Sequence, residues 1–203
     1  PPAVSFYRSW TDRAGDDLSD FRATVLEVAR SGEALRTVEL GRGGFVIRGL
    51  SPITDGDEYL GSVEVYFQPT RIVPFLGSET ETETGIILLT NASAAEQLFF
   101  EEDYADYFMG QIGDSLVSAV SDAWLEPEEI IDPERVRQAQ DSGETVLTAS
   151  GIYQSAYIPL RDFSDEINGQ IVSVMDVSGL REIAQNRIIQ LLAIVFGMIV
   201  VAA

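Results

Sequence analysis

The residue types available to this chain narrow its chemistry before any fold is considered. It contains no histidine, no cysteine and no lysine. Catalysis by imidazole or thiolate is therefore excluded, together with zinc sites built on those ligands, lysine Schiff bases and a phosphate-binding P-loop. Carboxylate pairs such as Asp16/Asp17 and Glu101/Glu102/Asp103 have the types for a glycosidase pair or a divalent cation. In a chain with 33 Asp and Glu residues, however, such runs are expected to be solvated faces. No cofactor, no metal and no enzymatic activity are expected.

What remains is binding, and here the arginines stand out. All 13 basic residues are arginine, and the net charge is -20. That balance repels phosphate backbones and anionic lipid, so no nucleic-acid partner is expected. The lysine-free acidic composition has the character either of adaptation to high salt, where charge is screened, or of an ordinary acidic protein drawn from a biased codon pool. Arg8 precedes Trp10, Arg22 falls in a first helical turn, Arg42 sits at a glycine turn and Arg48 lies midway along a strand. Guanidinium forks at these positions suit a small carboxylate, with Phe6, Trp10, Phe45 or Tyr66 walling its apolar part. The other reading is that each arginine pairs with a carboxylate such as Asp16, Asp17 or Glu64. In the second half Tyr153, Tyr157 and Arg161 hold the analogous positions, and one arginine suits an anion less well; the two tyrosines alternatively pack against helices. The candidate ligand-binding residues are thus Arg8, Trp10, Arg22, Arg42, Arg48, Tyr66, Tyr153 and Tyr157.

A repeated hairpin must position them. Gly44 to Leu50 rises toward Pro52, Thr54 to Glu58 has turn chemistry, and Leu60 to Phe67 returns with period-two alternation. The plan recurs from Gly151 to Pro159, through Asp162 to Glu166, to Asn168–Met175. Glycine precedes proline by eight residues both times, and Ser-Gly-Glu precedes each copy, at Ser31 and at Ser142. Two similar α/β modules in tandem are expected.

The other elements follow in order. Val4–Trp10 is a possible strand, and no initiating methionine or signal pattern precedes it, so the chain is expected to be a fragment. Ser19 or Asp20 caps a helix from Phe21 to Arg30, with Phe21, Val25, Val28 and Ala29 on one face and Gly32 as its stop. Leu35–Leu40 is a strand. Gln68–Leu76 connects the modules, Ser78–Thr84 is an acidic loop and Gly85–Thr90 is a strand. Residues 93–126 have helical composition, with Met109, Ile112, Leu116, Val120 and Trp124 on one face. Asp132-Pro133-Glu134 starts a helix that ends at Gly143. Thr145–Thr148 is a strand. After the polar helical run that ends at Arg187, Ile188–Ala203 is apolar. Its sixteen residues fall short of a full span of about twenty, and a transmembrane helix cut by the chain end is expected.

PPAVSFYRSW with GDDLSDFR, then ELGRGGFVIRGLSPITDGDEYLGSVEV, and more loosely SGIYQSAYIPLRDFSDEINGQIVSVMDV, resemble the double Cache sensor domains of bacterial methyl-accepting chemotaxis proteins, sensor histidine kinases and diguanylate cyclases. The resemblance implies an α+β fold of tandem PAS-like modules, each an antiparallel sheet with flanking helices. It implies a membrane-distal module over 1–70 lacking its N-terminal helix and first strand, a membrane-proximal module over 71–177, and a signalling helix over 178–203 entering the membrane. Arg8, Arg22, Arg42 and Arg48 fall within the family-like motifs of the distal module.

The function so implied is extracytoplasmic small-molecule sensing for a transmembrane receptor, with a chemotaxis protein as first choice. The alternative is a ligand-free structural, dimerisation or protein-interaction module of a sensor histidine kinase or diguanylate cyclase. The implied partners are a small ligand (an organic anion or amino acid), a second copy in a homodimer, and the membrane through the C-terminal helix. The implied location is the cell inner membrane, with this region on the periplasmic or extracellular side.

Overall fold

The computed structural model describes residues 3–9, 12, 14–20, 22–41, 44–76, 84–98, 107–122 and 124–202. It is α+β, with two antiparallel sheets. The first sheet has the order β1-β2-β3, made of β1 (Leu35–Gly41), β2 (Gly44–Asp55) and β3 (Glu58–Phe67). The helix α1 (Ala23–Ser31) lies against all three strands, burying Thr24 and Val28. It stops at Gly32, as expected. Its N-terminus is Arg22, which makes no side-chain cap, so neither Ser19 nor Asp20 caps it.

The second sheet has six strands in the order β5-β6-β4-β9-β8-β7: β4 (Thr84–Asn91), β5 (Gly110–Ile112), β6 (Ser115–Val120), β7 (Val146–Ser150), β8 (Tyr153–Arg161) and β9 (Ile167–Asp176). Between the sheets in sequence comes α2 (Pro69–Leu76); α3 (Ala92–Leu98) follows β4. The short α4 (Pro127–Ile130) and α5 (Pro133–Ser142) cover one face of the second sheet. There Ile87, Leu89, Val117, Val136, Ala139 and Val172 form the main apolar core. The opposite face receives Val73 of α2, which is buried with Leu88 and Ala119. Both expected hairpins are present, as β2–β3 and β8–β9.

The start of α5 follows its sequence signal closely. The Asp132 carboxylate accepts from the Glu134 N–H at 2.9 Å, Pro133 occupies the first turn, and Gly143 ends the helix at φ +67°. That left-handed conformation is open to glycine at little cost.

Two expected elements differ, and a third falls almost wholly outside the described residues. Of the expected strand Val4–Trp10, the described residues 4–9 form no strand, and Val4 makes one isolated bridge, with Asp17. The expected helix through Ile112, Leu116 and Val120 is instead the β5–β6 hairpin, turned at Gly113 with φ +58°. Five of the six β6 residues are buried on one face or the other. A strand covered on both sides has no alternation to show, and its continuous apolar run resembles a buried helix. The acidic loop falls almost wholly on 77–83, outside the described residues, and Thr84 already belongs to β4.

The transmembrane expectation is also corrected. One helix, α6 (Ser178–Ala202), runs through both the polar and the apolar stretch. Among the described residues no helix is long and apolar enough to cross a membrane. Arg181, Glu182 and Arg187 occupy its first half. The membrane as a partner and the inner-membrane location, which rested on that span, are withdrawn with it.

Replacing Asp132 with alanine should lower the unfolding free energy by about 1 kcal/mol. Urea denaturation measures it, and no change would mean that the cap contributes nothing to α5.

Candidate functional site

Alternation in β3 places its residues against expectation. Val63, Val65 and Phe67 point outward, the last two about 60 % exposed, while Glu64 and Tyr66 turn inward. The cause lies across the sheet. Arg48 on β2 is buried on the face that α1 covers, and a buried guanidinium needs carboxylates. Glu39 of β1 and Glu64 of β3 supply them from the strands on either side, and Arg22 joins from the start of α1.

These four side chains form one cluster. Arg48 Nε lies 2.8 Å from Glu39 Oε2, and Arg22 Nε lies 3.4 Å from the same oxygen. Arg48 Nη1 donates to Glu64 Oε1, and Arg22 Nη2 donates to Glu64 Oε2. Each arginine thus bridges both glutamates, and the charges sum to zero. The Thr24 hydroxyl on α1 adds weak contacts of 3.3 and 3.4 Å to Glu39. Tyr66 is opposite Arg48 in register, and its ring centroid lies 6.0 Å from the guanidinium carbon. The Nε groups of Arg22 and Arg48 have no acceptor in hydrogen-bond alignment, so their contact with Glu39 is charge proximity.

Electrostatics follow from this burial. Desolvation and the Arg22 charge press the Arg48 pKa below its ordinary value, against the pull of Glu64 and Glu39. Burial pushes Glu64 up, but the combined attraction of Arg48 and Arg22 outweighs it and holds the carboxyl below its usual range.

The remaining candidate residues are dispersed. Arg8 makes a two-pronged bond to Asp16, at 2.7 and 2.6 Å, in the N-terminal loop. Trp10 and Arg42 lie outside the described residues. Tyr153 stacks on Trp124 with ring centroids 6.1 Å apart. Tyr157 is fully buried in the core of the second sheet, where its hydroxyl accepts from the Asp132 N–H at 3.0 Å and donates to the Ile130 carbonyl at 3.4 Å. It pins the α4–α5 junction. Arg22, Arg48 and Tyr66 are therefore brought together, and Tyr153 and Tyr157 belong to the other sheet. Sequence reasoning missed Glu39 as the shared partner. Its signal was a carboxylate set between Val38 and Leu40 in the strand Leu35–Leu40.

Among the described residues no group of three or more Asp and Glu is placed to hold a metal ion. One cavity between the β5–β6 hairpin and α5, lined by Ile112, Ser115, Val136 and Gln140, measures about 30 Å³. That is room for a water molecule, against roughly 300 Å³ or more for a small-molecule pocket.

Arg48→Ala would leave two buried carboxylates undercompensated and should cost about 3–5 kcal/mol, whereas Arg8→Ala at the more exposed pair should cost about 1 kcal/mol or less. Chemical denaturation of the two variants distinguishes them; equal losses would deny the cluster its role. Because the folded pKa of Glu64 is depressed, its contribution is present above the unfolded value and is lost as pH falls through the folded one. Stability should therefore drop with acid below about pH 4, and Glu64→Gln should flatten that slope.

Where a small carboxylate was expected, Arg22 and Arg48 are paired with the chain's own Glu39 and Glu64, and Arg8 with Asp16. The expectation of an extracytoplasmic sensor on a transmembrane receptor, with a chemotaxis protein first, loses its membrane span. No curated protein matches the chain. Residues 1–124 match a family model described as the double sensory domain of two-component sensor kinase. It is a sensory family and not a catalytic one. The match takes in the first sheet with its ion-pair cluster and continues through β4, β5 and β6, so the chain belongs to the double Cache family of sensory domains.

Proposed function

We propose that this chain is a ligand-free interaction module of a two-component sensor kinase, working through protein contact and not through capture of a small molecule. The observation that carries this reading is the closed charge balance of Arg22, Glu39, Arg48 and Glu64. Both guanidinium forks are engaged by internal carboxylates, and admitting an external anion would strand Glu39 and Glu64 in a buried site.

The opposite face of the same sheet supports it. Ile47, Val63, Val65 and Phe67 stand out to solvent there, with Ile47 directly opposite Phe67. An apolar row of this kind marks a surface suited to protein contact. In this reading residues 1–70 and 71–177 are the two sensory modules, and 178–203 is the helix that follows them.

Two measurements test the proposal together. Isothermal titration with amino acids, dicarboxylates and polyamines should give no binding heat. A saturable heat that Arg48→Met abolishes would overturn the ligand-free reading. The hydrophobic dye ANS should bind the folded chain, and Val65→Ser with Phe67→Ser should remove most of that signal without lowering the melting temperature. Undiminished dye binding in that variant would overturn the assignment of the contact surface.

A further inference from the structure

The two faces of β2 are committed to different neighbours. Val46, Arg48 and Leu50 are buried on the face that carries the ion-pair cluster, whereas Ile47, Gly49 and Ser51 are exposed on the other. Phe45 shares the second face by alternation, yet it is only 1 % exposed. The six-stranded sheet covers it. Its ring fills the space where Gly169 of β9 has no side chain: a Cβ placed on Gly169 would lie 2.5 Å from Phe45 Cε2 and 2.8 Å from Cζ, and would press on the Leu89 carbonyl. The neighbouring Gly44 is closed over in the same way, since a Cβ there would lie 2.8 Å from Tyr107 Cε1. Meanwhile α2 touches β2, β4 and β6 and so lies along both sheets.

We propose that Phe45, seated in the notch left by Gly169, is the joint through which a change in the ion-pair cluster on one face of β2 moves the six-stranded sheet. Phe45 and Arg48 are three residues apart on one strand, which β1 pairs at both positions and β3 pairs from Ile47 onward. A close-packed aromatic contact has no slack to absorb a shift of that strand. Any displacement of β2 that follows a change at Arg48 or Glu64 must therefore move Phe45 against β9 or open a void there. The coupling depends on this packing alone and stands independently of the interaction reading above.

The test uses the whole 203-residue chain and NMR amide shifts. Glu64→Gln alters the cluster at the far face of the sheet. In the parent background it should shift the amide resonances of Gly169, Gln170 and Ile171 on β9. In Phe45→Ala that response should be lost. Phe45→Leu, which retains apolar bulk, serves if the alanine variant does not fold, and it should reduce the response. An equal response with and without Phe45, or none in the parent background, would overturn the proposal. A chemical-shift difference is read in the folded state, so a general loss of stability does not produce the pattern.

Discussion

Four charges in a small volume of low polarity govern the first half of this molecule. An isolated guanidinium or carboxylate cannot remain ionised away from water at acceptable cost. Arg22, Glu39, Arg48 and Glu64 solve this collectively, because each cation bridges both anions and the sum is neutral. The solution draws on every element present. Arg22 comes from the start of α1, Glu39 from β1, Arg48 from β2 and Glu64 from β3. Removing one member does not subtract a single contact; it leaves a buried charge uncompensated. The arrangement therefore specifies which face of each strand meets α1. It also explains why β3 turns its valines to solvent and its glutamate inward.

The second sheet rests on different physics. Its interior is an apolar layer in which Ile87, Leu89, Val172 and Val174 are all fully buried, closed by α4 and α5. The polar groups it admits serve to fasten the helices. Tyr157 holds the α4–α5 junction, and Gln170 donates to the Val136 carbonyl at 2.6 Å. The 203 residues thus combine a sheet locked by paired charge with a sheet locked by burial, and Phe45 of the first packs at Gly169 of the second. With a net charge of -20 the surface repels itself at low salt, whereas the cluster beneath it sums to zero and adds nothing to that repulsion.

Much of this plan is visible in one dimension. Gly32, Gly56, Gly143 and the Asp132-Pro133-Glu134 start act within a few residues of themselves, so the ends of α1 and α5 and the β2–β3 turn follow from local chemistry. The absence of histidine, cysteine and lysine excluded whole classes of catalysis without reference to any fold, and the arginine-bearing motifs carried the family. What the chain order does not contain is which carboxylate reaches which arginine. Arg22 and Glu64 are forty-two positions apart, and their meeting depends on α1 lying across β3. The two-sided burial of β6 and the outward phase of Val63, Val65 and Phe67 were likewise decided by the neighbouring strands and helices, since an alternating pattern gives the period of a strand and not the side that faces the core. Local signals specify the elements because they act over one turn of chain; the tertiary structure decided the site because buried charges must find partners wherever in the chain those partners lie.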